Sequence, residues 1–204
     1  MHTIATLEKL EKIYSVAPVP AALVKEKDRL TPEYATLINA SPFVVLATSG
    51  PEGLDCSPRG DTGSVVRIEN ETTLLLPDRR GNNRIDSLRN IVRDSRIALL
   101  FLIPGSGTTF RVNGSAVLST EPSLLDSFAV EGQLPRSVIV ITIERCYFQC
   151  ARAVLRAELW NAEKHIDAKS LPSAGEMFAA CSSGEVGGEN YDRDWPARAA
   201  KSMW

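Results

Sequence analysis

The chain has 204 residues, 44% of them hydrophobic and 24% charged, with 13 Gly, 12 Pro and a formal net charge of −2. These proportions are ordinary for one globular domain with room for a real core, and they exclude collagen, coiled coil and wholesale disorder. A mildly acidic chain has no global field for nucleic acid or an anionic membrane, so any anion site must be local.

The first dozen residues mix acid and base without a long apolar run, and no later stretch approaches ~18 consecutive apolar residues, so a cytoplasmic protein with no membrane or nucleic-acid partner is expected. Ile4, Leu7, Leu10 and Ile13 recur at helical spacing. A short second helix fits residues 19–25. Thr31-Pro32-Glu33 reads as an N-cap, a first-turn proline and a first-turn acid, opening a third helix to about Asn39. Residues 1–40 therefore read as an N-terminal helical arm.

Phe43 to Thr48 is apolar and β-branched, a strand closed by Ser49-Gly50-Pro51, and Asp55 to Arg59 can return beside it. Ser64 to Ile68 and Thr72 to Leu76 flank Glu69-Asn70-Glu71 as a hairpin. A helix is predicted from about Asn82 to Val92, then strands over 96–103 and 109–118, a helix over 121–130, and a strand from Ser137 to Phe148. Six or seven short strands without regular strand-helix alternation argue a mainly β domain with α additions, an antiparallel barrel over 41–165. Residues 166–204, Gly-rich in part and carrying Tyr191, Trp195 and Trp204, read as an extended C-terminal tail whose aromatic groups want a surface to cover.

The four cysteines, Cys56, Cys146, Cys150 and Cys181, form no C-x-x-C pair and sit near neither His2 nor His165, so they read as buried or semi-buried thiols rather than zinc ligands. No G-x-S-x-G, P-loop, G-x-G-x-x-G or H-E-x-x-H motif occurs. One bias stands out instead: of 16 Arg and 7 Lys, no Lys lies between Lys27 and Lys164, a stretch with 14 Arg. Base composition would explain it, and so would guanidinium forks for phosphate or carboxylate.

The segment Leu76-Pro77-Asp78-Arg79-Arg80-Gly81-Asn82-Asn83-Arg84 carries the second explanation. A strand ends, two arginines and a glycine turn, and a helix is predicted to open at two asparagines, where unpaired amides and adjacent guanidinium groups favour a phosphate. The alternative is an Asn82 N-cap with solvated arginines. Cys56-Ser57-Pro58-Arg59-Gly60-Asp61 presents donors at a strand end, or else an Arg59–Asp61 surface pair. Arg152 and Arg156 lie one helical turn apart and fit exposed charge.

Taken together, SPFVVLATSGPEGLDCSPRGD, LLLPDRRGNNRIDSLRNI, FRVNGSAVL and YFQCARAVLRAELW, in that order, resemble the pyridoxamine 5′-phosphate oxidase-related, FMN-binding split-barrel family, over roughly residues 35–165 and nearest a bacterial subgroup of probable FMN-dependent enzymes. The resemblance implies a split antiparallel β-barrel binding FMN. It implies phosphate contacts from Arg79, Arg80, Asn82, Asn83 and Arg84, and flavin and ribityl contacts from Leu76, Pro77 and Asp78. Ring-edge contacts would come from Ser57, Pro58, Arg59 and Asp61. It further implies a homodimer with flavin at the interface, to which the second subunit could bring Arg111 and Asn113, or the segment from Cys150 to Trp160. The implied activity is an oxidoreductase acting on a small molecule, and the alternative is a non-catalytic module of the same fold for heme, deazaflavin or flavin storage. Asn82-Asn83-Arg84 stands where the vitamin B6 oxidases carry Ser-Arg-Lys, and Ala200-Lys201-Ser202-Met203-Trp204 lacks their Trp-Arg-Leu tail, which argues against oxidation of that vitamin.

Overall fold

The computed structural model describes residues 1–203. Seven strands, β1 (Phe43–Gly50), β2 (Gly53–Gly60), β3 (Arg67–Asn70), β4 (Thr73–Pro77), β5 (Arg96–Leu102), β6 (Thr109–Ser119) and β7 (Val138–Gln149), form one antiparallel sheet in the order β2-β1-β5-β6-β7-β4-β3. The helices are α1 (Leu7–Ile13), α2 (Pro20–Val24), α3 (Pro32–Asn39), α4 (Asp86–Arg93), α5 (Pro122–Asp126), α6 (Arg152–Arg156), α7 (Ala174–Cys181) and α8 (Glu189–Ser202). None is long and apolar enough to cross a membrane.

Alternation decides which side of the sheet is core. Val44, Leu46 and Thr48 of β1 are buried while their neighbours are less so, and Phe110, Val112 and Ala116 of β6 repeat the pattern. On β7 the phase changes: Ile141 and Ile143 point inward, then Cys146. A β-bulge at Asn113/Gly114 causes this, because two β7 residues oppose one on β6. Gly114 is required there, since a Cβ would overlap the Thr142 carbonyl oxygen.

The sheet rolls so that its two ends face each other. Arg59 of edge strand β2 reaches Asp78, just past β4 at the far side, at 2.6 Å. α3 plugs the core with Tyr34 and Ile38, Tyr34 lying 4.9 Å from the Phe110 ring. Its cap is the predicted one, with Thr31 Oγ1 accepting from the Tyr34 amide. α4 lies over β1 through buried Ile91 and Asn90, and Asn90 donates to Thr48 Oγ1. Gly50 is small for that reason, because a Cβ would collide with Asn90.

Several local expectations change. The 64–76 hairpin exists, but Ser64 to Val66 lie outside the strand, and Glu69 and Asn70 belong to β3. Ser64 instead ties down the connection, its hydroxyl donating to the Val66 carbonyl at 2.6 Å. The predicted 121–130 helix is only one turn, α5, which ends with the Ser127 hydroxyl on the Leu124 carbonyl. The C-terminal segment is not extended. Ser173 and Glu176 form a reciprocal capping box that starts α7, and Asp192 of α8 accepts from Ser173 Oγ and the Gly175 amide. Tyr191 covers Phe178 at 4.9 Å and receives the Arg198 guanidinium at 4.0 Å, whereas Trp195 remains about half exposed. The expectation for Trp204 lies outside the described residues. The thiols divide as well: Cys146 alone is buried, while Cys56, Cys150 and Cys181 are exposed.

Candidate functional site

Where the rolled sheet is split, the end of β2, the end of β4 and the loop leading to α4 enclose a cleft of about 1060 Å³. All of the predicted site residues except Arg111 and Asn113 line it. Residues about 20 positions apart meet there because β2 and β4 arrive from opposite ends of the sheet.

Two ion pairs stitch those ends together. Arg59 Nη1 binds Asp78 Oδ1 at 2.6 Å and Arg79 Nε binds Asp61 Oδ2 at 2.8 Å, with no side chain of the four more than 18% exposed. Arg79 Nη1 also donates to the Phe128 carbonyl at 2.7 Å. The Arg59–Asp61 pair considered from sequence therefore does not form; each residue takes a partner from across the split. Further along β2, Asp55 accepts from the buried Ser87 hydroxyl at the start of α4.

The phosphate turn differs from expectation in one important respect. The helix opens at Asp86, not at Asn82, because Asn83 (φ 62°) and Ile85 (φ 53°) adopt left-handed backbone that ends any helix before it starts. Asn82 Oδ1 accepts from the Arg84 amide at 3.1 Å, an Asx turn rather than an N-cap. Left-handed backbone at a β-branched residue such as Ile85 costs ~1–3 kcal/mol and concentrates at functional loops. Arg80, Asn82, Asn83 and Arg84 are exposed along the rim, and Arg84 pairs with Asp86 at 2.8 Å.

Arg136 is a cleft residue that local reasoning missed. It lies between α5 and β7 and donates to Asn83 Oδ1 at 2.9 Å from 53 positions away, a separation for which the sequence holds no local signal. With it, five arginines and four aspartates (Asp55, Asp61, Asp78, Asp86) line the cleft, one positive charge in excess. Neither histidine lines the cleft, and no metal-binding group of three or more His, Cys, Asp or Glu exists among the described residues.

One atom is left over. Arg59 Nε is fully enclosed and has no hydrogen-bond partner among the described residues. An enclosed charged donor without an acceptor costs upward of ~1–3 kcal/mol, and folded proteins rarely leave one bare. Enclosed donors, guanidinium groups on the rim and apolar Leu76 and Pro77 between them suit a ligand with a polar planar head and an anionic tail, which FMN has. Arg111 and Asn113 lie elsewhere, on the outer face of β6, where Arg111 binds Asn113 Oδ1 at 3.3 Å and the Tyr147 hydroxyl at 3.2 Å.

Among solved structures, similar folds include a candidate pyridoxamine 5′-phosphate oxidase from Lactobacillus delbrueckii, 22% identical, covering 59% of this chain and 95% of its own, with a TM-score of 0.48. HupZ of Group A Streptococcus is 20% identical over 57% of this chain and 91% of its own, with a TM-score of 0.47. An F420 reductase is 16% identical over 59% and 98%, with a TM-score of 0.42. No curated protein matches the chain. The family model of pyridoxamine 5′-phosphate oxidase matches residues 30–150, which include every strand and the whole β2–β4 cleft framework. That match covers more than half of the sequence, and the chain belongs to the pyridoxamine 5′-phosphate oxidase family.

Proposed function

We propose that the cleft binds FMN and that the chain is a flavoprotein oxidoreductase acting on a small molecule. The observation that carries this reading is the enclosed, unpartnered Arg59 Nε in a cleft large enough for a nucleotide-sized cofactor. When bound, the flavin supplies the hydride or electron chemistry; the protein supplies anchoring, orientation and shielding.

The residues divide that work. Arg59 offers Nε to a ring-edge acceptor while Asp78 holds its Nη1, so the guanidinium is oriented before ligand arrives. Ser57 shares its face of β2 and offers a second polar group, with Pro58 beside it. Leu76 and Pro77 form an apolar ledge for the linking chain. Arg79 is engaged with Asp61 and the Phe128 carbonyl, so the phosphate falls to Arg80 and Arg84, with Asn82, Asn83 and Arg136 shaping the rim. A homodimer completes the reading, with Arg111 and Asn113 reaching the cofactor of a second subunit. No side chain is assigned as acid or base.

The test is direct. Purified protein should show flavin absorbance or take up one FMN per chain, and Arg59→Gln should weaken uptake. Protein that retains no FMN, or that binds it equally well as Arg59→Gln, defeats the proposal. A heme or deazaflavin spectrum would point to the binding-module alternative. Flavin that no nicotinamide donor or small-molecule substrate reduces would point to storage, and light scattering reads the subunit number.

A further inference from the structure

Residues 80–85, between β4 and α4, are all exposed, so no core contact shapes them, yet Asn83 (φ 62°) and Ile85 (φ 53°) are held in left-handed backbone. Asparagine tolerates that backbone, but a β-branched residue adopts it only where its surroundings impose it. Within the loop, the Arg84 amide donates to Asn82 Oδ1 at 3.1 Å and Arg84 pairs with Asp86 at 2.8 Å. Among the described residues, one hydrogen bond reaches residues 80–85 from outside the stretch 80–89: Arg136 Nη1 donates to Asn83 Oδ1 at 2.9 Å.

The base from which Arg136 reaches is firm. Its neighbours Pro135 and Ser137 are buried, the Ser137 carbonyl accepts from the Asp78 amide at 3.0 Å, and Val138 pairs with Pro77 in the sheet. The backbone at 136 is therefore fixed against the end of β4, where the loop begins, and only the exposed side chain projects to the rim. A planar guanidinium on such a base acts as a strut, whereas a lysine would be a single point donor on a loose stem.

We infer that Arg136 is a positioning residue: acting through Asn83, it fixes the loop in the shape that presents Arg80 and Arg84 to one anionic group, and so sets a preference for a phosphorylated flavin over riboflavin. This role rests on the flavin reading of the cleft, and it separates the residue that shapes the anion site from those that touch the anion. A loop pinned before ligand arrives does not have to be ordered by it, which raises affinity for the group the loop receives. Only the phosphate end gains. Arg59, Leu76 and Pro77, assigned to the ring and linking chain, sit on strands β2 and β4 and do not depend on the loop.

Titrations of FMN and of riboflavin into the full chain read the preference. Wild type should favour FMN, and Arg136→Ala should cut that preference by about fivefold to tenfold, near the combined loss from the two rim arginines it positions. Arg136→Lys should recover part of it. Asn83→Gly keeps the left-handed backbone and deletes the acceptor, so it should cost as much as Arg136→Ala, and the double variant should cost no more than either alone. In ligand-free protein, hydrogen exchange over residues 82–86 should quicken several-fold in both single variants. An unchanged preference in Arg136→Ala, or exchange indifferent to it, overturns the assignment. So does a double variant whose loss is the product of the single losses, which would put Arg136 on the phosphate itself. Protein that binds neither flavin defeats the cofactor reading and the preference with it, and the exchange rates then still report whether Arg136 holds the loop.

Discussion

Arginines of the same cleft do two different jobs. Arg59 and Arg79 are mostly enclosed, each tied to an aspartate from across the split, and they join the two ends of a rolled sheet. Arg80 and Arg84 stand a few residues away on an exposed loop, Arg80 with no hydrogen-bond or ionic partner among the described residues and Arg84 with only a neighbouring Asp86. Burial makes the difference: an ion pair out of water strongly penalises loss of either partner, whereas an exposed guanidinium is solvated anyway and acts on a ligand without acting on the fold.

Removing one partner of the enclosed set should therefore show the largest effect. Asp61→Ala leaves Arg79 charged and enclosed, and an expected loss of about 3 kcal/mol of stability should appear as a drop of roughly 10 °C in melting temperature for a chain of this length. A melting temperature within a degree or two of wild type would show that the pair is solvated and the contrast false.

Arg59→Gln should split the effects. It removes the charge-assisted donor at Nε, so FMN affinity should fall by about tenfold to a hundredfold, and it leaves Asp78 unpaired, so stability should fall as well. Fluorescence titration and thermal melts on one preparation measure both. Loss of stability alone would make Arg59 purely structural.

Arg80→Ala and Arg84→Ala should weaken FMN by only a few-fold, more at low salt than at high, since exposed charges are screened. Their stability should stay within about 0.5 kcal/mol of wild type. A large loss of stability from either would place it with the enclosed pair.

The smallest effect concerns the thiols. Burial pushes the Cys146 thiol up from 9.0 to about 11, whereas Cys56, Cys150 and Cys181 are exposed. Alkylation of native protein should label those three quickly and Cys146 slowly, as mass spectrometry would resolve. The folded chain holds the Cys146 proton more tightly than the unfolded chain does. That contribution to stability is complete below pH 9 and is lost as pH rises towards about 11, a loss that alkaline melts of wild type and Cys146→Ala would isolate.

How much of this was legible beforehand depended on the range of the forces involved. β1, the β5–β6 hairpin and β7 follow from apolar, β-branched runs bounded by turn residues, and α3 from Thr31-Pro32-Glu33, because each signal lies within a few residues of what it specifies. The start of α4 falls later than expected: asparagine at 82 fits an N-cap, but Asn83 and Ile85 adopt left-handed backbone, so the helix opens only at Asp86. The C-terminal helices did carry a local signal, Ser173 with Glu176 three residues later, masked by the Gly-rich stretch that follows. In the cleft, the candidate positions on β2, β4 and the loop after β4 line one cavity while Arg111 and Asn113 lie elsewhere, but which arginine pairs with which aspartate was not legible, and Arg136 was absent.

The sequence by itself determined the antiparallel β class, the helical arm and the cluster of arginine, aspartate and asparagine that lines one cleft, since composition and short-range patterning record what must be buried and what must turn. Only the tertiary structure decided the roles within that cluster. Rolling the sheet brings β2 against the end of β4, commits Arg79 to Asp61 and Arg59 in part to Asp78, and leaves Arg59 Nε enclosed without a hydrogen-bond partner among the described residues. Pairing and enclosure depend on groups 18 or more residues apart, and no local pattern encodes them.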